Sequence, residues 1–401
     1  MKANLIIKYF LFLYILAISS FEHYFRVTQP ALYLLFPIVL LLQILYKKKY
    51  NLKSLLIIAP FVIAVAIQSF LYGTPLTFAV ALFIRMLTIY LCANIIGKDF
   101  TKIFINTLKY ISAYSIVFYL LQFSSSTHNL LLSICGLFSN PGSDPGFVVD
   151  RPNFIIYTVQ ALDNNQLFYR NFGPFWEPGL YVLFLNIALY MNLFKTQKLF
   201  NRTNILFLVS IISTFSTTGI IVVLLTLTAY YLNSKTVTLK TRIFWIVLMI
   251  FTIPVIWSLP FMNEKVSEQF TQSDVSYSRF GAAVVHWNII QDYPWVGLPI
   301  DNGATFSKYT DSFTPNGLTE IFTIWGVLVG LIFYIFLYKS AKQVMKNIGD
   351  VKNATMLFLV MTISLFSENM GNRPIYILFL FLPLSLNYSM QKRVNVATKS
   401  Q

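Results

Sequence analysis

Residues 205–232 read Ile-Leu-Phe-Leu-Val-Ser-Ile-Ile-Ser-Thr-Phe-Ser-Thr-Thr-Gly-Ile-Ile-Val-Val-Leu-Leu-Thr-Leu-Thr-Ala-Tyr-Tyr-Leu, without a single charge. A membrane helix needs about 20 apolar residues, so this run is either one overlong helix or two short ones hinged at Ser216-Thr217-Thr218-Gly219. The flanks decide between them. Lys195, Lys198 and Arg202 precede the run and Lys235, Lys240 and Arg242 follow it, and cytoplasmic loops collect Lys and Arg. Both flanks then lie in the cytoplasm, which only a helical hairpin satisfies.

The same reading extends outward along the chain. Of its 401 residues 56% are hydrophobic and 11% charged, against about 25% charged in a soluble domain. Apolar stretches recur near 5–20, 30–46, 54–72, 75–96, 104–123, 175–194, 204–217, 218–232, 243–260, 318–337, 354–368 and 373–390. The expected fold is an all-α polytopic membrane protein of about 12 transmembrane helices, a single integral-membrane domain over residues 1–401. On this topology 20 of the 30 Lys and Arg lie in cytoplasmic turns, and 13 of the 15 Asp and Glu lie outside. Both termini are cytoplasmic and the long loops 124–174 and 261–317 are external. Orientation accounts for the net charge of +15, so no nucleic-acid partner is expected. The opening Met-Lys-Ala and apolar residues 5–18 also fit a signal peptide, but the loop charges favour an uncleaved first helix. Cys92 and Cys135 lie in apolar surroundings, which suits neither a disulfide framework nor a thiolate metal site.

The first external loop carries a short apolar patch, Leu130–Phe138, expected as an interfacial helix, then the turn-dense Asn140–Gly146. It ends in Arg170-Asn-Phe-Gly-Pro-Phe-Trp-Glu-Pro-Gly179, a rigid, charged mouth leading into the next apolar segment. The second loop has a polar part up to Ser278, a helix-like Arg279–Gln291, and Tyr293-Pro-Trp-Val-Gly297. Loops of this length in a compact bundle usually have a function.

No Walker phosphate loop, dinucleotide glycine fingerprint, His-Glu-x-x-His helix or Cys-x-x-Cys pair occurs. With His23, His128 and His286 scattered, the expected chemistry uses neither metal nor cofactor. What remains is Arg170 and Arg279. A guanidinium suits phosphate because its planar fork donates two parallel charge-assisted hydrogen bonds and keeps its proton. Each also reads as a cation solvated at the interface. Against that, Glu177 lies seven residues after Arg170 at the start of an apolar segment, where a carboxylate is costly unless paired or solvated in a cavity. Arg85, in mid-span, reads equally as a functional or a structural cation. His286 and Trp287 fall one heptad from Arg279, on its side of a helix.

The pattern resembles the O-antigen and capsule repeat-unit polymerases (Wzy type) and their relatives, the O-antigen ligases. Arg170-x-x-Gly173-x-Phe175-x-x-Pro178 is similar to the family's start of a central span. Thr214-Phe-Ser-Thr-Thr-Gly219 stands where such proteins often have a Ser-Arg-Gly turn, with Thr218 in the arginine's place. Ser278-Arg279 with Trp287, then Tyr293–Gly297, then Asn316 with Gly326 ten residues on, is similar to the large external loop and the helix after it. The three blocks cover about 168–330; the amino-terminal third matches in hydropathy only.

The resemblance implies a metal-independent glycosyltransferase with a GT-C-like architecture in the bacterial cytoplasmic membrane, building O-antigen, capsule, exopolysaccharide or lipopolysaccharide chains. Its partners would be an undecaprenyl-pyrophosphate-linked oligosaccharide, membrane lipids and a chain-length regulator. Arg170 and Arg279 would hold the pyrophosphate, with Arg85, Asn316, Trp176 and Trp287 as accessories. The chain departs from the family at Pro315, where a histidine is typical and, in the ligases, helps activate the acceptor. That leaves Glu177, Glu320 and His286 as candidate bases, with Asp292 weaker. It favours a polymerase over a ligase to another acceptor. A transporter or flippase for lipid-linked sugars is the alternative from another class, but no internal repeat and few midplane charges support it.

Overall fold

The computed structural model describes residues 2–48, 50–138, 151–160, 169–233, 237–257, 278–298, 308–309 and 315–397. Outside them lie the turn-dense 140–146, the polar stretch 263–277, the tail of the expected segment 243–260, and Lys49, Lys235, Lys265 and Lys399. The described residues are helical, with α1 Lys2–Ser20, α2 Thr28–Leu45, α3 Lys53–Tyr72, α4 Thr77–Ile96, α5 Phe100–Leu121, α6 Ser125–Cys135 and α7 Pro178–Thr196. They continue with α8 Arg202–Ser213, α9 Thr217–Asn233, α10 Leu239–Trp257, α11 Arg279–Asp292, α12 Gly317–Ile348, α13 Ala354–Ser367 and α14 Pro374–Ala397. A helix occupies each of the apolar segments expected from the sequence. The apolar patch Leu130–Phe138 falls largely in α6, which begins earlier, at Ser125, and ends at Cys135.

Phe25–Leu45, Lys53–Tyr72, Thr77–Leu121, Pro178–Thr196 and Gly317–Ile348 are long and apolar enough to cross a membrane, and shorter apolar helices fill in around them. This is the make-up of a membrane-embedded protein. The second and third helices show wide apolar faces to the outside, with Leu34, Leu41, Leu56, Ile63 and Phe70 all exposed. By contrast, α7 is buried on every face from Leu180 to Phe194 and α14 from Ile375 to Leu382. A helix apolar all round belongs at the centre of a bundle, and these two form its core.

The chain reverses between α8 and α9, at Thr214–Ser216 rather than at the expected Ser216–Gly219, with Phe215 at φ 47°. Asn204 at the start of α8 bonds Asn192 near the end of α7, while Ser213 at its end bonds Asn171 just before α7 begins. The ninth helix then runs back beside α7: Gly219 accepts from Asn186, and Tyr230 donates to the Gln197 carbonyl.

The two ends of the bundle differ in chemistry. One gathers the turns that join α2 to α3, α4 to α5, α7 to α8 and α12 to α13, tied by Lys8–Asp99 at 2.6 Å, Lys48 to the Asn94 carbonyl and Asn347 to the Lys98 carbonyl. The other end gathers the segments before α7, α11, α12 and α14, and holds the site.

Candidate active site

A cavity of about 750 Å³ opens at this second end, where α7, α12 and α14 begin. Three helix N-termini around one space bring positive dipole ends together, a setting that favours anions. The side chains add to that field: Arg26, Arg85, Arg279 and Arg373 line the cavity together with Glu177, Glu320 and Glu368.

The mouth Arg170–Gly179 is held by backbone as its prolines and glycines suggest. Glu22 N–H donates to the Pro174 carbonyl at 2.9 Å, and Phe21 pairs with Phe175 in an isolated bridge with their rings edge-on at 5.2 Å. Gly173 takes φ 55° and Asn171 caps the turn by accepting from its N–H. Trp176 and Glu177 are thereby set into the cavity wall. The Trp176 ring meets Phe25 at 4.6 Å, and the Arg373 guanidinium lies over both rings, 5.2 Å from Trp176 and 5.7 Å from Phe25. Arg373 also donates to the Phe25 carbonyl. Stacking fixes the plane of the fork and leaves its edge for a ligand.

Glu320, one turn into α12, accepts from Asn369 at 3.2 Å and interacts with Arg373. Glu368, just past the end of α13, is only 3% exposed and lies within hydrogen-bonding reach of Glu177. Burial first, then the Glu177 carboxylate, pushes its carboxyl well above the ordinary range, with Arg279 and Arg151 pulling the other way. The Glu368 carboxyl therefore keeps its proton to higher pH than an ordinary carboxyl does.

Arg279 begins α11, whose cap is Ser278, and donates from Nε to the Ser367 carbonyl. Asn316 is an organising residue: its Oδ1 accepts from Leu318 and Thr319 N–H to cap α12, and its Nδ2 donates to the Arg279 carbonyl at 3.0 Å. Pro315 lines the cavity beside it. The Tyr293–Gly297 strap crosses α12 where Gly326 breaks it, at φ 73°, and Val327 N–H donates to the Pro294 carbonyl at 2.8 Å. Asn316, Gly326 and the strap, separated in sequence, are one unit.

Several expected residues stand elsewhere. Arg170 is not in the cavity wall. Its Nε donates to the Thr214 carbonyl at 2.9 Å and its N–H to Gln160, so it braces the α8–α9 reversal from behind. Burial lowers its pKa to about 10, opposed chiefly by Glu177, and it stays a cation at neutral pH. His286 is fully buried, 2.7 Å from the Thr319 hydroxyl, and burial lowers its pKa to about 4. It does not line the cavity. Trp287 is 59% exposed, and Asp292 accepts from Tyr309. Among the described residues no three His, Cys, Asp or Glu side chains gather as metal ligands would.

The sequence reading missed Glu368, Asn369, Asn372 and Arg373. The signal was there: Ser-Glu-Asn-Met-Gly-Asn-Arg at 367–373 is a dense polar turn between two apolar helices, too short to stand out as a loop.

A scan against protein-family models finds no match to this chain, and a search of curated proteins returns no relative.

Proposed function

We propose that this protein is a polymerase that joins polyprenyl-pyrophosphate-linked oligosaccharide repeats on the outer face of the bacterial cytoplasmic membrane. In this reading its twelve apolar helices cross the membrane with both termini inside, and the lysine-rich end of the bundle faces the cytoplasm. The observation that carries the reading is the cavity, where Arg279 and the stacked Arg373 converge beside a carboxyl pair at three helix N-termini. As the acceptor hydroxyl attacks the anomeric carbon, the bond to the lipid diphosphate breaks and charge grows on the leaving oxygen. The two guanidiniums meet that charge. Glu177 takes the hydroxyl proton, oriented by Glu368, which bonds to it. The Trp176–Phe25 wall gives a sugar ring an aromatic surface.

Relative to the pair read from sequence, Arg373 takes the place of Arg170 in the clamp, and Arg170 becomes a brace. The test is a ladder gel of surface glycan from cells lacking the native chain and supplied with Arg279→Ala, Arg373→Ala, Arg373→Lys or Arg170→Ala, each checked for membrane level. Arg279→Ala and both Arg373 variants are expected to stop at one repeat, since lysine lacks the planar fork that lies over Trp176 and gives a phosphate two parallel hydrogen bonds. Long ladders in all of them remove the proposal, and loss of all external glycan points to transport instead.

A further inference from the structure

A second, smaller cavity of about 160 Å³ adjoins the first and shares Gln29, Arg85, Ile324 and Asn372 with it. Its remaining wall is mainly apolar, with Val65 from α3 and Phe78, Ala81 and Leu82 from α4. Phe78 is 39% exposed, and Leu76 and Val80 beside it are exposed as well. The chamber thus runs from the charged cavity to an apolar outer surface.

Arg85 stands at the junction. It is 7% exposed, one of its terminal N–H groups donates to the Asn372 carbonyl, and its buried Nε has no partner. The charged side chain that bears on it is Arg373, of like sign. The nearby Glu320 already interacts with Asn369 and Arg373. A buried guanidinium facing another guanidinium is costly unless an anion lies between them.

We propose that Arg85 and Arg373 bind the phosphate group of an amphiphile on its lipid side, and that the chamber between α3 and α4 receives the first part of its apolar chain. The proposal rests on the functional reading above only for the identity of the diphosphate; the binding site stands on the paired arginines and the chamber that continues from them. The geometry also sets a direction. The chain leaves sideways through α3 and α4, and the sugar faces Trp176 and Glu177 across the main cavity.

The test is binding to the purified full-length chain in detergent, with inorganic diphosphate, farnesyl diphosphate and farnesol as probes. Farnesyl diphosphate is expected to bind at least tenfold more tightly than inorganic diphosphate, and farnesol weakly. Arg85→Gln should weaken both diphosphates tenfold or more, and Arg85→Lys by less. Ala81→Trp fills the chamber and keeps every charge; it should bring farnesyl diphosphate down to the affinity of inorganic diphosphate. Monodisperse elution of each variant controls for folding. Unchanged binding in Arg85→Gln, or an advantage of the farnesyl chain that survives Ala81→Trp, overturns the proposal. Equal affinity of the two diphosphates in the native chain shows a free-anion site and overturns the chain pathway. Because the readout is binding, a chain that binds in this way and builds no ladder keeps this site and loses the polymerase reading; the reverse result does the opposite.

Discussion

The Glu368 carboxyl is buried against that of Glu177, with its Oε1 packed where a Cβ on residue 179 would stand. Gly179 is therefore what lets the segment after α13 reach the start of α7. The pair joins two turns that lie 191 positions apart in number (177 and 368).

Stability should fall as pH rises through the neutral range. Below the ordinary carboxylate range both folded and unfolded chains hold the Glu368 proton and no slope arises. Above it the unfolded chain has released a proton that the folded chain keeps, because the folded pKa is raised. The slope is at most about 1.4 kcal/mol per pH unit for the one proton. Glu368→Gln imitates the protonated form and should flatten it. Melting curves from pH 5 to pH 8 in detergent measure this, and equal slopes in the two proteins would show that Glu368 does not hold its proton in the folded chain.

On the proposed function, His286→Gln should leave the ladder length and its pH profile unchanged, because His286 bonds Thr319 away from the cavity wall. Its pKa is lowered by burial to about 4, so its neutral form contributes stability that is full above its unfolded pKa and lost as pH falls toward 4. The variant should therefore lose less stability in acid than the native chain. A collapse of polymerisation in this variant, at normal membrane level, would return His286 to the list of bases.

Asn316 does two jobs that one substitution separates. Asn316→Asp keeps the oxygen that caps α12 and removes the amide that donates to the Arg279 carbonyl. Stability should fall by about 1–3 kcal/mol, the cost of leaving a buried polar group unsatisfied, and on the proposed function ladder synthesis should drop. Asn316→Ala loses both, at about 1 kcal/mol or more for the cap. If, on the proposed function, Asn316→Asp gives ladders like those of the native chain, Asn316 does not position Arg279.

Gly326→Ala should destabilise the chain by about 2 kcal/mol, the usual cost of a side chain held in a backbone region that favours glycine. Its φ is 73° and ψ 170°, and a Cβ there would overlap the Trp295 carbonyl. The strap would lift from α12 and take the Leu298-to-Thr323 bond with it. Thermal unfolding reads the cost; a variant as stable as the native chain would show that the strap does not depend on this crossing.

Several parts of the site could be read in the chain because their determinants are local. The Phe-Gly-Pro-Phe-Trp-Glu-Pro-Gly mouth carries its own turn chemistry, and Glu177 followed by Pro178 announces a helix start. Asn316 before Gly317-Leu318-Thr319 has the look of a cap, and it is one. Gly297 and Gly326 stood out as glycines, but that they touch was not legible, since neither position refers to the other.

Arg170 shows where local reading stops. Its neighbours marked it as functional, yet the backbone turns it toward Thr214, and Arg373 occupies the cavity wall instead. A guanidinium reaches far enough that a few backbone angles decide which side of a wall it serves. Arg85 is the converse, a lone charge in an apolar helix whose meaning depends on Asn372 and Arg373 from the other end of the chain.

The sequence by itself determined the helices, their reversals and the division of charge between the two ends, because burial in an apolar solvent acts on each segment separately. The tertiary structure alone decided which polar turns share a cavity, how Glu177 meets Glu368, and that Arg373 stacks on Trp176. Those contacts join segments before α7, α11, α12 and α14, and only packing around the two fully buried helices brings them within reach of one another.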